Sequence, residues 1–296
     1  MPSPTVSIII PNYNHARYLQ QRMDTVWAQS FTDYELILLD DCSTDNSSSL
    51  LEAYRHHPKV AHLVFNEANT GSPFPQWQRG IALAKGTYIW IAETDDFSHP
   101  DFLQQLVAAL QSHPQAVMAF SGSHWVDDSG TPKDDLSIYK TSFVRKGQEE
   151  IIEHLSKYNT IQNVSSVLFR ADALRQTPTD YTRYRACGDW ILYTTLLTRG
   201  DLIYVADKLN YFRWYHSNTS NAAAKQGIWE REGIDVVALV KNNFSLTQAQ
   251  KSNITQFWKQ RLKPLRRSIP MPYQDYCTIH KKLFRFSPYQ YLRHLL

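Results

Sequence analysis

No apolar run in this chain of 296 residues approaches the ~20 that a membrane-spanning helix needs. The longest candidates, Val6 to Pro11 and Tyr88 to Ala92, have the length of strands. The start, Met1-Pro2-Ser3-Pro4, lacks the basic stretch and long apolar segment of a secretory signal, so the expected location is cytoplasmic. Cysteine is scarce: Cys42, Cys187 and Cys277 are odd in number, widely spaced and without a C-x-x-C pair, which fits a reducing compartment and no zinc site. Glycine-rich phosphate loops are missing as well. No G-x-G-x-x-G follows Val6 to Ile10 and no G-x-x-x-x-G-K-[ST] occurs, so neither dinucleotide redox chemistry nor a P-loop NTPase is supported. Acidic residues are nearly absent from one end. Beyond residue 250 there are ten Lys/Arg against the single acid Asp275, so the net +3 hides an acidic body and a basic tail.

What is present reads as α/β. The first hundred residues alternate short β-rich runs with amphipathic stretches, the pattern of stacked βαβ units around a mostly parallel sheet. Strands are expected at Val6 to Ile10, Glu35 to Leu39, Val60 to Phe65 and Thr87 to Ala92. Helices are expected at Arg17 to Gln29, after Asp45, and from the turn at Asn69 to about Ala84. Further on, the sequence predicts strands at Val117 to Phe120, Asn163 to Arg170, Leu202 to Ala206 and Leu209 to Trp214. Helices at Glu149 to Leu155 and Asp189 to Thr198 complete that half, and the tail is largely helical, interrupted by Pro264, Pro270 and Pro272. Three of the early strands end in polar clusters: Asn12-Tyr13-Asn14, Asp40-Asp41 and Asp95-Asp96. In an open α/β sheet ligands bind outside the carboxyl ends of the strands, so these clusters mark one functional edge.

Adjacent carboxylates leaving a buried strand oppose each other's ionisation, and a divalent cation is the natural compensation. Hard oxygen ligands suit Mg²⁺ or Mn²⁺, bound through one or two carboxylates plus substrate phosphates. A solvated helix-capping turn is the other reading of Asp95-Asp96. A nucleotide site without a glycine loop must hold base and sugar with side chains. Tyr13 offers a ring for stacking and Asp40 an acceptor for a base N–H, against a packed tyrosine and a capping aspartate.

The ordered runs VSIIIPNYNHARYLQQRMDTVWAQSFTDYELILLDDCSTDNS and NTGSPFPQWQRGIALAKGTYIWIAETDD closely resemble the donor-binding half of family 2 glycosyltransferases, inverting enzymes of the GT-A fold. The resemblance covers residues 5–100 and continues more loosely to about 220. It implies that Pro11 and Tyr13 line the base pocket, that Asp40 reads the base edge, and that Asp95 and Asp96 hold the ribose and the diphosphate-bound metal. Asp41 is assigned to loop support. Two positions depart from the family pattern: Glu93 where Asp is common, and Trp77 where many members carry Arg, with Arg79 as a substitute phosphate contact. Gly188-Asp189-Trp190 resembles the acceptor-side motif that supplies the catalytic base, which implies Asp189 in that role; the other reading is an N-cap. Arg213 and His216 resemble a family stretch that contacts phosphate and metal. Asn163 and Ser165 resemble an acceptor-side strand without assigned roles.

The expectation is a Rossmann-like GT-A mixed sheet flanked by helices. It comprises a catalytic domain over 1–220, with an acceptor-side half at 101–220, and a basic helical extension over 221–296. The expected activity is metal-dependent, inverting transfer of a sugar from a nucleotide-sugar donor, UDP-sugar foremost, to a hydroxyl of a glycan or glycolipid acceptor. A metal-dependent nucleotidyltransferase and a non-catalytic glycan- or membrane-binding module stand as alternatives. The tail's basic and aromatic residues fit a helical cap on the domain or an anionic membrane surface. Nucleic acid is not expected, since no signature for it is present.

Overall fold

The computed structural model describes residues 3–133, 137–214, 226–268 and 271–293. Strands β1 (Val6–Asn12) and β2 (Tyr34–Asp40) are buried at every residue. This is why they read as unbroken apolar runs rather than alternating ones. With β3 (Val60–Phe65) and β4 (Tyr88–Ile91) they form the parallel part of the sheet, in the order β3-β2-β1-β4. Beyond β4 the sheet turns mixed. β8 (Val167–Arg170) lies antiparallel between β4 and β6 (Ala116–Val126), and β6 pairs in parallel with β9 (Asp201–Arg213). The short strands β5 (Phe97–Ser98) and β7 (Phe143–Arg145) both pair antiparallel with β9.

β9 is one strand of 13 residues where the sequence suggests two. The pairing slips opposite Gly122, from Val205 to Lys208, so Ala206 and Asp207 are absorbed as an irregularity and the polar pair Asp207-Lys208 does not end the strand. The expected strand at 163–170 starts instead as a single turn of 3₁₀-helix over Val164–Ser166 and becomes extended only at Val167.

Helices cover both faces. On one, α1 (Ala16–Trp27) and α4 (Phe102–Ser112) bury Leu19, Met23, Val26, Leu103 and Leu106 against Ile8, Ile10 and Trp90. On the other, α3 (Phe74–Leu83) approaches β1 so closely that a Cβ on Gly80 would lie 2.4 Å from Ile9 Cγ2. The same layer holds α7 (Gly188–Leu196) and a C-terminal group: α8 (Ile228–Gly233), α9 (Asp235–Asn243), α10 (Gln248–Ser268), α11 (Tyr273–Phe286) and α12 (Pro288–Arg293). Pro264 lies inside α10 and does not end it; the helix forgoes one backbone hydrogen bond there. Ile254, Trp258, Leu262, Ile279, Leu283 and Phe286 are buried in one cluster with Trp190, Ile191 and Leu155. The basic tail is therefore also a wall of the core.

Candidate active site

A cleft of about 590 Å³ opens along the edge where β1 and β4 end. Pro11, Tyr13, Asp95, Asp96, Asp189 and Arg213 all line it, so one space gathers residues from the start, middle and end of the stretch 11–213. His216 lies outside the described residues. Tyr13 leaves 43% of its surface exposed, an aromatic ring presented instead of packed.

Asp40 departs from its expected part. It is buried, and its carboxylate is consumed by the loop that follows it and by the end of β1: Oδ1 accepts from Asn12 Nδ2 at 2.8 Å and Ser43 Oγ at 2.6 Å, Oδ2 from Ser43 N at 2.9 Å and Ser48 Oγ at 3.2 Å. Four donors saturate the two oxygens, and the residue does not line the cleft. Asp41 does line it. That carboxylate takes Asn66 Nδ2, Asn69 Nδ2, Gln76 Nε2 and both N–H and hydroxyl of Thr70, so it orders the turn at 69–71. Asn14 and Cys42, at φ 55° and 62°, let the two loops fold back towards each other. Asn14 Oδ1 accepts from Thr44 N at 2.7 Å across that join.

The acidic floor is Glu93, Asp95 and Asp96. Asp96 is pinned from three sides: Oδ2 accepts from Asn163 Nδ2 at 2.9 Å and Ser165 Oγ at 2.7 Å, and Oδ1 from Arg213 N at 2.9 Å. Burial and the adjacent Asp95 push its carboxyl up to about 6, against the pull of Arg22. Burial and Asp95 push Glu93 up to about 8. The two departures from the family pattern meet here, because the longer arm of Glu93 accepts from Trp77 Nε1 at 2.6 Å. Arg79 turns away, its guanidinium on Asn66 Oδ1.

Arg213 was expected to pair with phosphate. Its guanidinium is instead spent on the protein: Nε donates to Asp95 O at 2.7 Å, Nη1 to the carbonyls of Asp127 and Asp128, and Nη2 to Gln21 Oε1 at 2.7 Å. With Tyr18 beneath it, centroid 4.5 Å away, it is a strut under the Asp95-Asp96 turn. Sequence reasoning missed its counterpart Arg22. That fully buried side chain donates from Nε to Glu93 O at 2.8 Å and is a positive charge under the three carboxylates. A signal existed: Arg22 falls among Leu19, Met23 and Val26 on the apolar face of α1.

No group of three His, Cys, Asp or Glu among the described residues forms a self-sufficient metal cage. Crowded carboxylates whose protonation is favoured by burial do fit a hard divalent ion that substrate oxygens complete.

Across the cleft, Asp189 opens α7. Oδ1 accepts from Trp190 N at 2.7 Å and Oδ2 from Asn159 Nδ2 at 3.0 Å, so each oxygen keeps a lone pair. Burial lifts its carboxyl to about 7, against those two hydrogen bonds. The C-terminal helices hold this segment. Glu232 of α8 accepts the N–H groups of Arg185, Ala186 and Cys187 at 2.9 to 3.2 Å, and Trp190 stacks on Trp258 with rings 6.2 Å apart. Asn159, Arg185 and Glu232 carried no motif in the sequence.

Residues 7–176, more than half of the chain, match the profile of glycosyl transferase family 2. An uncharacterized glycosyltransferase, alr2836 of a Nostoc species, is 27% identical over 249 residues, which is 81% of this chain and 75% of that protein. The putative teichuronic acid biosynthesis glycosyltransferase TuaG of Bacillus subtilis is 30% identical over 131 residues, 44% of this chain and 51% of TuaG. The matched stretch thus spans about half the length of that curated relative. Among solved structures, S. aureus TarS 1-349 in complex with UDP superposes with a TM-score of 0.72 at 17% identity, covering 96% of this chain and 81% of that one. The mannosyltransferase PcManGT of Pyrobaculum calidifontis, in complex with GDP-Man and Mn²⁺, gives 0.60 at 15% identity over 98% and 83%. These likenesses establish the GT-A fold. With the profile matched across β1 to β8 and the carboxylates of that stretch gathered at one cleft, the chain belongs to glycosyl transferase family 2.

Proposed function

We propose that the protein is an inverting glycosyltransferase that moves a sugar from a nucleoside-diphosphate sugar to a hydroxyl of a glycan or glycolipid acceptor. The observation that carries this reading is the shared cleft: the Asp95-Asp96 floor on one side and Asp189, half-buried with a carboxyl near neutrality, on the other. A base of that basicity is matched to removing a proton from a hydroxyl at physiological pH. As the acceptor oxygen forms its bond to the anomeric carbon, its proton passes to Asp189. The bond from that carbon to the diphosphate oxygen breaks with its electron pair, and nucleoside diphosphate leaves.

Tyr13 and Pro11 form the base pocket, with Asp40 acting only through the loop it holds. Asp95 and Asp96 would hold Mn²⁺ or Mg²⁺ together with the donor's phosphates, the ion supplying charge neutralisation of the leaving diphosphate. UDP is favoured as the donor nucleotide because TarS, solved with UDP and with UDP-GlcNAc, shares the fold. A cell-surface polysaccharide is favoured as acceptor because TuaG is named for teichuronic acid biosynthesis.

Membrane contact through the tail belongs to this proposal too. No helix among the described residues is long and apolar enough to cross a membrane, yet Tyr273 and Tyr289 are 70% and 67% exposed on the C-terminal helices, whose sequence is basic. Salt-sensitive co-sedimentation with phosphatidylglycerol vesicles would support that part, and none at low salt would remove it.

The central test incubates the purified protein with Mn²⁺ or Mg²⁺ and a panel of nucleotide sugars and measures the nucleotide released. Nucleoside diphosphate supports the proposal; pyrophosphate identifies a nucleotidyltransferase; no metal-dependent binding of any nucleotide sugar ends it.

A further inference from the structure

Arg185 lies four residues before Asp189, is exposed and lines the same cleft. Its backbone is fixed: both oxygens of Glu232 accept its N–H, at 3.0 and 3.2 Å, while Ala186 N and Cys187 N hold the same carboxylate from the next two residues. Its side chain is not fixed. Among the described residues the guanidinium makes no hydrogen bond or ion pair, although Asp41, Glu93, Asp95, Asp96 and Asp189 all line the cleft with it. The other two arginines of the cleft are engaged, Arg17 with Asp128 and Arg213 with the carbonyls beneath the acidic turn.

We propose that Arg185 is an oxyanion-binding residue of the cleft, taking a phosphate group of a bound substrate, with Glu232 positioning its backbone. The inference rests on the reading of the cleft as a nucleoside-diphosphate-sugar site. A space walled by carboxylates repels a phosphate, so binding one requires cations at hand. The planar fork of a guanidinium matches two phosphate oxygens at once. A segment already pinned through three backbone N–H groups loses little further freedom when its side chain engages. Two phosphates are available to it: the donor's diphosphate, or a phosphate carried by the acceptor.

Calorimetry on the full-length protein with Mn²⁺ distinguishes them, using UDP, GDP, the bare nucleosides, and glycerol phosphate added after saturation with the diphosphate. Because the side chain is exposed and makes no hydrogen bond or ion pair among the described residues, Arg185→Ala and Arg185→Lys should keep the wild-type circular dichroism. If the donor is the source, Arg185→Ala weakens diphosphate binding roughly tenfold to a hundredfold. Nucleoside binding then stays as it was and Arg185→Lys recovers part of the loss. If the acceptor is the source, diphosphate binding is unchanged and glycerol phosphate binding alone is lost. Arg185→Ala that binds every probe like the wild type overturns the inference while leaving the function standing. A wild-type protein that binds no probe overturns the reading of the cleft and the inference together.

Discussion

The proposal that Asp189 is the base makes its surroundings testable. Burial raises its carboxyl to about 7, and a base must be deprotonated to act, so the rate of transfer should climb as pH rises through about 7 and fall away below it. A pH profile of kcat that is flat from 6 to 8 would contradict this. Asp189→Asn should keep nucleoside-diphosphate binding and lose transfer by roughly 10²–10⁴-fold in kcat, the share a general base supplies. Trp77 and Glu93 stood in the sequence as two unrelated departures; side by side they are one hydrogen bond. Restoring the commoner residue with Glu93→Asp should therefore cost stability. The shorter arm leaves the buried Trp77 N–H without its acceptor, a loss of about 1–3 kcal/mol readable in a urea denaturation midpoint.

Among the elements, α8 carries more than its six residues suggest. Its Glu232 holds the backbone ahead of α7, and a Cβ on its Gly233 would lie 2.4 Å from Trp190 Cζ3. Gly233→Ala should accordingly push Trp190 and with it Asp189, lowering kcat and the melting temperature together; a variant with wild-type values of both would show the contact has room. The strands β1 to β4 were legible because full burial on both faces writes unbroken apolar runs into the sequence. α4, β5 and β7 went unseen. Two or three residues paired at a sheet edge leave no period to detect, whereas α4 does carry a helical period in Phe102, Leu103, Leu106, Val107 and Leu110.

For the molecule as a whole, the charge division at residue 250 is real in sequence but is not a division of the core. Trp258 is fully buried, stacks on Trp190 and donates to Ser156 O at 2.9 Å. Trp258→Ala should destabilise the entire protein by about 3–5 kcal/mol in chemical denaturation. Removal of residues 251–296 should yield an insoluble or unfolded body; a soluble, cooperative one would show the helices to be an appendage. The sequence by itself determined the α/β class, the family, the strands that end at the cleft and the carboxylates placed there, because burial and strand-end polarity are local and leave their pattern in the letters. Only the tertiary structure decided which of those groups face the cleft and which are spent holding it. Asp40 is saturated by Asn12 of β1 and by the serines that follow it, Arg213 by carbonyls and a glutamine, and Asp189 is braced from a helix more than forty residues away. Asp40 keeps local partners, Ser43 and Ser48, and its capping is one of the two readings the sequence offers; the partners of Arg213 and the brace on Asp189 come from across the fold, carry no spacing in the chain and leave no pattern in it.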